Sequence, residues 1–302
     1  MAFFGRSDVP KENAIADALN AASTLRLILT DYIYPSLNEE LGTDIDLGVR
    51  IGIDYGSEEE IIWGNFGLGD SSEVTAVGIP VDLSSKIQHL ADKNTAMLGQ
   101  GVLDFIDFPE AYTKYKESAG EIIRYVKPNL TNQEGKPINR KMMIMKMDSY
   151  QDLLPFKIID KKMHQSMLHP SRFDYACEEL IDEEWISYPS LSKFLNKNRK
   201  IKFTLSIDKG LGKMTVTFVK KNNGEDAKEK SYMGENYTVT IDNEDVLPGE
   251  NSRHLQVQNL PDRMILTLPE ATSYRGLHTM EVIVRGEFAT IYYRNIIGVY
   301  IY

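Results

Sequence analysis

The chain of 302 residues carries 34 Lys and Arg against 44 Asp and Glu, a formal net charge of −10. This acidic balance argues against a protein that coats nucleic acid or an anionic membrane surface, and a single cysteine excludes an intramolecular disulfide. Since the sequence also shows neither an apolar run of membrane-spanning length nor a signal peptide, we expect a cytoplasmic protein with no nucleic-acid or membrane partner.

The first 42 residues predict a strand end and a long helix. Residues 1–5 form a short apolar run that ends in Gly, as a strand would. Residues 10–41 carry apolar side chains at helical spacing, which predicts one long helix with a buried face. Pro35 is expected to kink or shorten this helix, and Gly42 is the expected stop. Packing on a sheet is favoured over binding of a partner.

Residues 49–72 predict two strands and a turn. Apolar and smaller or polar residues alternate over 49–53, which is the period of a strand. A second strand over 61–64 is close enough to form a hairpin with the first. Residues 67–72 are rich in Gly but lack a following Lys-Ser/Thr pair, so a turn is favoured over a phosphate-binding loop.

The next part of the chain alternates strands and helices. We expect a strand over 73–77, a helix from 80 to about 93, a strand over 96–98, a helix over 102–106 and a ribbon over 121–147. Pro suits the first positions of the helix that begins at 80. The methionines of the ribbon are better explained as core residues than as metal ligands.

Residues 150–200 are polar and predict helix or irregular structure. His164 and His169 have too few neighbouring ligands to indicate zinc. Cys177 is better explained as a packed thiol than as a nucleophile. From residue 201 the pattern changes to short alternating strands separated by turns, which is typical of an all-β sandwich.

The segment 49–86 resembles the second half of a class III nucleotidyl cyclase domain. That family has a strand with Gly-Ile and a later Gly, a hairpin, a Gly-x-x-Val-Asn turn and a helix. The corresponding residues here are Gly52, Ile53, Gly56, Gly78, Val81, Asp82, Ser84, Ser85, Lys86 and Ile87. The resemblance covers about residues 1–150 and implies an α+β chain whose cyclase domain is ferredoxin-like.

The resemblance also implies a divalent cofactor, Mn²⁺ or Mg²⁺. In the family, one metal-binding aspartate lies on a first strand. A second lies in a Gly-Asp turn before an apolar strand that ends in Phe and Gly. Residues 1–5 resemble that apolar strand, so both aspartates would lie upstream of Met1, and no residue of this chain would be a metal ligand. We therefore expect a chain that lacks the first strands of the domain, with little activity and weak folding.

Three residues take family roles by their position. Asp82 stands where the family usually has an Asn that orients the ribose, and Lys86 where it has an Arg that stabilises charge on the transferred phosphoryl group. Thr75 stands at a base-contacting position. Lys keeps the charge of Arg but lacks its bidentate fork. The structural alternative is that Asp82 caps the helix and Lys86 lies on a solvated face.

Residues 201–302 resemble the adenylyl/guanylyl and SMODS C-terminal sensor domain. The resemblance lies in a Phe-Val-Lys block that begins at Phe218, in the turn that follows it, and in the run from Glu270 to Glu281. It implies a sensed ligand derived from phage, with Tyr274 and His278 as candidate contacts. A structural role for these two residues in a corner of the sandwich is an equal alternative.

A cyclase-like domain joined to this sensor domain resembles the uridylate and cytidylate cyclases of the Pycsar antiphage system. This resemblance implies a homodimer with its active site at the subunit interface and UTP or CTP as substrate. It also implies a cyclic pyrimidine nucleotide as product and second messenger. We expect a cyclase domain over 1–155, a helical linker over 156–200 and a β-rich sensor domain over 201–302. The alternative is a degenerate, non-catalytic sensor or interaction protein.

Overall fold

The computed structural model describes residues 2–5, 9–43, 47–69, 71–126, 131–155, 167–242 and 245–302. The chain divides into two compact units, Met1–Gln151 and Asp152–Tyr302. Both helices and strands occur, with strands in the majority, so the expected mixed α+β class is confirmed. Among the described residues, no helix has the length and apolar character needed to cross a membrane.

The helices of the first unit open with the predicted long helix. In chain order the helices are α1 Lys11–Ile28, α2 Tyr34–Leu41, α3 Ile79–Leu90, α4 Gln100–Ile106 and α5 Met147–Tyr150. Between α1 and α2 the backbone stays helical but passes through a π-helical segment, Leu29–Ile33. This segment lies just before Pro35, which has no N–H to donate and crowds the preceding turn. Gly42 ends α2 in a left-handed conformation, with φ of 60°.

The strands of the first unit form one mixed sheet and two separate hairpins. In chain order they are β1 Arg50–Ile53, β2 Ile61–Leu68, β3 Ser71–Gly78, β4 Thr95–Gly99, β5 Thr113–Lys114, β6 Lys116–Ser118, β7 Glu121–Ile123, β8 Tyr125–Val126 and β9 Arg140–Met145. The mixed sheet has the order β1-β4-β9-β5, and β8 also pairs with β9. β1 is parallel to β4, whereas β4 is antiparallel to β9.

Two expectations for this unit are wrong. β1 does not pair with β2: β2 pairs with β3 along its whole length, and the expected turn at 67–72 contains the ends of both strands. β1 instead lies beside β4, because α3 returns the chain to a parallel position over the sheet. Residues 2–5 form no strand and pair with none among the described residues, and Met1 lies outside that part of the chain.

Helix α3 packs on the mixed sheet. Its residues Leu83 and Ile87 are buried in a cluster with side chains of β4, β8 and β9, including Met97 and Ile144. Gly52 makes this close packing possible, since a Cβ atom there would lie 2.1 Å from the carbonyl oxygen of Ser84. The four methionines of the predicted ribbon are also buried, namely Met142, Met143, Met145 and Met147, which confirms that they are core residues. The position of α3 depends on a glycine in β1.

The second unit is built almost entirely of strands. They are β10 Phe173–Ile181, β11 Glu184–Ser187, β12 Phe194–Leu195, β13 Lys200–Asp208, β14 Met214–Lys221, β15 Gly234–Asp242, β16 Asp245–Pro248, β17 Gln256–Asn259, β18 Arg263–Ala271, β19 Gly276–Arg285 and β20 Ile291–Ile301. One short helix, α6 Glu225–Glu229, follows β14. The sheets have the orders β11-β10-β13-β18-β17 and β12-β20-β19-β14-β15-β16.

The two sheets share one hydrophobic core, as the predicted sandwich requires. Alternate residues of β13, from Ile201 to Ile207, are buried together with Val216 and Phe218 of β14. Such alternation is the pattern that places one face of each strand against the opposite sheet. The all-β sandwich expected from residue 201 is thus seen in the structure.

The expected helical linker over 156–200 is wrong where the structure describes it. Residues 156–166, which include His164, lie outside the described residues. Beyond them, β10 and β11 are strands of the sandwich, and β10 pairs with β13 over seven residues, from Phe173↔Ile207 to Glu179↔Ile201. The sequence pattern does not predict this strand, because its buried face mixes Phe173 and Cys177 with a carboxylate, Glu179.

Candidate functional site

The segment that resembles a cyclase is a continuous strand and helix. β3 runs into α3 through Gly78, and Pro80 lies in the first helical turn. Two of the glycines that carry the resemblance are places of close approach. A Cβ at Gly56 would lie 2.4 Å from Cγ of Pro80, and a Cβ at Gly78 would lie 2.1 Å from the carbonyl oxygen of Glu60. The glycines therefore fix where the N-terminus of α3 lies.

Thr75, Asp82 and Lys86 lie on this segment. Thr75 is half-buried on β3, opposite Gly64. Asp82 is exposed and Lys86 is half-buried on α3, and their separation of four residues puts them on one face of the helix. Asp82 does not cap the helix, because the N-cap is Gly78. The first half of the structural alternative is therefore wrong, whereas a solvated face for Lys86 stays a prediction.

These three side chains keep their polar groups available. Among the described residues, none of the three makes a hydrogen bond or an ion pair through its side chain. The structure thus brings an ammonium and a carboxylate together on one helical face, with a hydroxyl on the strand that precedes it. Such a set can attract a phosphate through Lys86 and exchange hydrogen bonds with a hydroxyl or a base through the other two.

The structure adds a further ionisable residue, Asp54, which no sequence motif indicates. It follows β1 directly, and its Oδ1 accepts hydrogen bonds from the backbone N–H groups of Tyr55 at 3.0 Å and Gly101 at 2.9 Å. Gly99, which ends the neighbouring strand β4, leaves room for the carboxyl group, because a Cβ there would lie 2.4 Å from Cγ of Asp54. Burial raises the pKa of Asp54 from 3.8 to about 6, while both hydrogen bonds and the charge of Arg140 oppose this rise.

The sequence around Asp54 could not predict which groups contact its carboxylate, because these groups are distant along the chain. Gly101 is 47 residues away along the chain, and Arg140 begins β9. The sequence signal that could have indicated this contact is the pair of glycines on either side of Gln100, since residues without side chains leave space for a neighbouring side chain. The carboxyl ends of adjacent parallel strands meet at this edge of the sheet, a common place for functional groups in such sheets.

The remaining candidate residues from the sequence, Cys177 and His169, lie in surroundings that favour a structural role. Cys177 is buried, and burial raises the pKa of its thiol, which supports a packed thiol over a nucleophile. The ring of His169 lies edge-on to Tyr292, with 5.0 Å between centroids. In the described part of the chain, no group of three or more His, Cys, Asp or Glu side chains could hold a metal ion.

Tyr274 and His278 are neighbours in the second unit. Nε2 of His278 is 2.7 Å from the carbonyl oxygen of Tyr274, and the backbone N–H of Asn223 donates to Nδ1 at 3.3 Å. Because Nδ1 accepts, Nε2 must carry the proton and donate it to Tyr274. Burial lowers the pKa of His278 from 6.5 to about 4, so the ring is neutral at pH 7. The pair also lines a cavity, which is described below.

Comparison with known proteins agrees with the family resemblances of both halves of the chain. Residues 155–302 match the Adenylyl/Guanylyl and SMODS C-terminal sensor domain. Over the whole chain the sequence is 56% identical to a cytidylate cyclase from Escherichia coli, of which it covers 67%. It is 28% identical over 90% of the chain to another cytidylate cyclase from Escherichia coli, of which it covers 55%.

A cytidylate cyclase from Staphylococcus aureus is 31% identical over 38% of the chain, which covers 27% of that relative. The chain thus spans between about a quarter and two thirds of the length of these relatives. Since the match to the first relative extends over the whole chain at 56% identity, the chain belongs to the cytidylate cyclase family.

Proposed function

We propose that this protein is a pyrimidine nucleotidyl cyclase that converts CTP or UTP to the cyclic monophosphate and pyrophosphate. The observation that carries this proposal is 56% identity over the whole chain to a cytidylate cyclase. In the reaction, the ribose 3′ oxygen attacks the α-phosphorus. The new oxygen–phosphorus bond replaces the bond to the oxygen that bridges the α- and β-phosphates. Pyrophosphate leaves, and the proton of the hydroxyl passes to water.

Within this proposal, Lys86 neutralises charge that develops on the transferred phosphoryl group. Fixed positive charge at that place lowers the barrier because it acts where charge accumulates in the transition state. Asp82 accepts a hydrogen bond from a ribose hydroxyl, and Thr75 contacts the base. Their placement on β3 and on one face of α3 supports these roles, because a single substrate could contact a strand and the helix that directly follows it.

The cofactor proposed here is Mn²⁺ or Mg²⁺, on the family resemblance alone. A divalent ion would supply charge stabilisation at the phosphates. The described residues do not fit such an ion, since they bring no three acidic, histidine or cysteine side chains together. No residue of the described chain is therefore assigned to a metal site.

The site is proposed to lie between two copies of the chain. The β2–β3 hairpin supports this proposal. Its strands pair with each other and with no other strand among the described residues, and its apolar side chains are largely exposed: Ile62 by 73%, Phe66 by 76% and Leu68 by 90%. Contiguous exposed apolar surface and free strand edges are typical of an interface. A second copy is the proposed occupant.

Three further proposals follow from the family. The first unit is proposed to be a ferredoxin-like cyclase domain, which the mixed sheet covered by α1 and α3 supports. The cyclic nucleotide is proposed to act in the cytoplasm as a second messenger of Pycsar antiphage defence. The second unit, as a sensor domain, is proposed to respond to a phage-derived ligand.

Catalysis is tested with a form of the protein that has the full length of its curated relatives, which is incubated with each of the four nucleoside triphosphates and Mn²⁺ while cyclic products are resolved by mass spectrometry. We expect cyclic CMP or cyclic UMP from this form and its loss in Lys86→Met. Lys86→Arg should retain it, because the charge is kept. The matched control is Ser85→Ala, an exposed neighbour on the same helix. If none of the triphosphates gives a cyclic product, a non-catalytic sensor protein is the correct interpretation. The 302-residue chain alone should give little product, because its described residues bring no group of metal ligands together.

The interface is tested by sedimentation velocity. We expect a dimer that Phe66→Ser converts to a monomer, because the substitution removes apolar surface from the hairpin. Phe288→Ser is the matched control, since Phe288 is 98% exposed but lies in the second unit. Dimers that persist in Phe66→Ser would contradict the proposed interface without bearing on the reaction.

A further inference from the structure

One end of the sandwich in the second unit contains a cavity of about 80 Å³. A water molecule needs about 10–15 Å³ of such space, so the cavity holds about five to eight atoms of that size. Its lining combines apolar residues such as Phe203 and Met280 with polar residues from strands β14, β18 and β19 and from the loops beside them. These polar residues include Lys220, Asn222, Tyr232, Glu270, Tyr274 and His278.

Two aromatic rings form one wall. The centroids of Tyr232 and Tyr274 are 6.1 Å apart, and the rings are inclined by 46°. Tyr274 is held in place by His278, whose Nε2–H donates to its carbonyl oxygen at 2.7 Å. Half-buried tyrosines beside an open space present faces on which a planar ligand can stack.

An ion pair stands beside these rings. Nζ of Lys220 lies 2.6 Å from Oε2 of Glu270, with side-chain exposures of 16% and 12%. The same Nζ lies 5.2 Å from the ring centroid of Tyr232. Nζ has three N–H bonds and each carboxylate oxygen has two lone pairs. The pair therefore presents a donor beside an acceptor to whatever enters the cavity.

The hydrogen-bond network behind the ion pair has more acceptors than donors. The hydroxyl group of Tyr237 lies 2.9 Å from Glu270 and 3.0 Å from a second carboxylate, Glu235. This hydroxyl has one proton and can donate to only one of the two carboxylates. Tyr232 also contacts Glu235, and Lys220 is the cation of this cluster. The local negative surplus favours a ligand that donates hydrogen bonds over one that brings a phosphate into the cavity.

We propose that this cavity binds a nucleobase, as part of a small nucleoside or nucleotide whose sugar stays at the mouth of the cavity. The base stacks on Tyr232 or Tyr274 and places an adjacent donor and acceptor on Glu270 and Lys220. Bases present such adjacent groups on their Watson–Crick edges, and proteins recognise unpaired bases through these edges and aromatic stacking. The proposal gives the sensor unit a site and a ligand class and is independent of catalysis.

The test is isothermal titration calorimetry. The chain is titrated with the nucleosides cytidine, uridine, adenosine and guanosine, with cyclic CMP and cyclic UMP, and with inorganic phosphate. We expect at least one nucleoside or cyclic nucleotide to bind with a Kd below about 1 mM. Tighter binding of a cyclic nucleotide would identify the protein's own proposed product as the ligand. Tighter binding of a nucleoside would identify an outside source.

Variants locate the binding site. Glu270→Gln and Tyr274→Leu should each weaken binding about tenfold or more. The matched control for Glu270→Gln is Glu178→Gln. Glu178 also pairs with a lysine, Lys202, at 3.0 Å, and that lysine also lies over an aromatic ring, but neither residue lines the cavity. Glu178→Gln should therefore bind as the unaltered chain does.

Two more variants keep the proposal falsifiable. Ser273 is exposed at the rim of the cavity, so Ser273→Trp should close it and abolish binding without disturbing the ion pair. Lys86→Met, which alters the proposed cyclase site, should leave the affinity unchanged. The proposal is overturned if none of the probes except phosphate binds. It is also overturned if affinity is lost in Lys86→Met but kept in Glu270→Gln and Ser273→Trp.

Discussion

The substitution Asp54→Asn should stabilise the first unit at neutral pH. Oδ1 of Asp54 accepts both backbone hydrogen bonds, from Tyr55 and Gly101, and the amide oxygen of Asn can accept the same two. The substitution therefore removes the cost of a buried charge while it keeps both bonds. Burial raises the pKa of Asp54 from 3.8 to about 6. At about 1.4 kcal/mol per pKa unit, the ionised carboxyl costs about 3 kcal/mol.

The effect depends on pH in a defined direction. Because the folded-state pKa lies above the ordinary value, protonation of Asp54 favours the folded state. Its contribution is fully present below pH 3.8 and is lost as the pH rises through about 6. The advantage of Asp54→Asn should therefore be close to zero near pH 4 and grow to about 3 kcal/mol by pH 7.

The measurement is urea denaturation between pH 4 and 8, followed through Trp63. Trp185, the other tryptophan, is replaced by Phe so that the signal reports the first unit. Glu121→Gln is the control, since Glu121 is exposed on β7 and should give a small difference that does not change with pH. A lower stability of Asp54→Asn at pH 7 would refute the reasoning, as would a difference that stays constant with pH.

Two further substitutions test packing and charge elsewhere. Gly52→Ala should lower the free energy of unfolding by about 1–3 kcal/mol, because the new Cβ would lie 2.1 Å from the carbonyl oxygen of Ser84; urea denaturation measures this, and an unchanged midpoint would contradict the close packing of α3 on β1. His278 should make the protein less stable in acid. Burial lowers the pKa of its ring from 6.5 to about 4 in the folded chain, so its contribution to the free energy of unfolding is present above pH 6.5 and is lost as the pH falls through about 4. Denaturation followed through Trp185 should show this loss, about 3 kcal/mol in all, and His278→Gln should abolish most of the dependence; an equal loss in the variant would assign the effect to other groups.

The sequence could predict those elements whose burial repeats along the chain. Strand β13 alternates apolar and polar residues from Ile201 to Ile207, and one face of it is buried. Helix α3 carries Leu83 and Ile87 at helical spacing, and both are buried. In each case the pattern is local because one face of one element packs on a single neighbouring layer.

Pairing between strands could not be predicted in the same way. β1 and β2 are separated by a short turn, but β1 pairs with β4, about 45 residues away along the chain. The choice depends on where α3 packs, and that packing depends on the absence of a side chain at Gly52. In β10 the pattern is hidden by Glu179, which is 2% exposed and pairs with Lys193 at 2.7 Å. Its burial depends on a partner that the strand itself does not contain.

The candidate sites also differ in whether their residues are close together or far apart along the chain. Thr75, Asp82 and Lys86 lie within twelve residues of one another, so family position alone could place them on one segment. For the cavity in the second unit, the family resemblance indicated Tyr274 and His278, both of which line it. The pair of Lys220 and Glu270 was not predictable, since these residues are 50 residues apart.

The two buried titratable groups, Asp54 and His278, show how far packing decides the chemistry. Desolvation is the main cause of both pKa shifts, and in each case it favours the neutral form. A neutral carboxyl is the protonated form, whereas a neutral imidazole is the deprotonated form. Acid therefore favours folding through Asp54 in the first unit and opposes it through His278 in the second. Between pH 7 and pH 5 the contribution of Asp54 to the stability of the first unit should therefore rise, while the contribution of His278 to the stability of the second unit should fall.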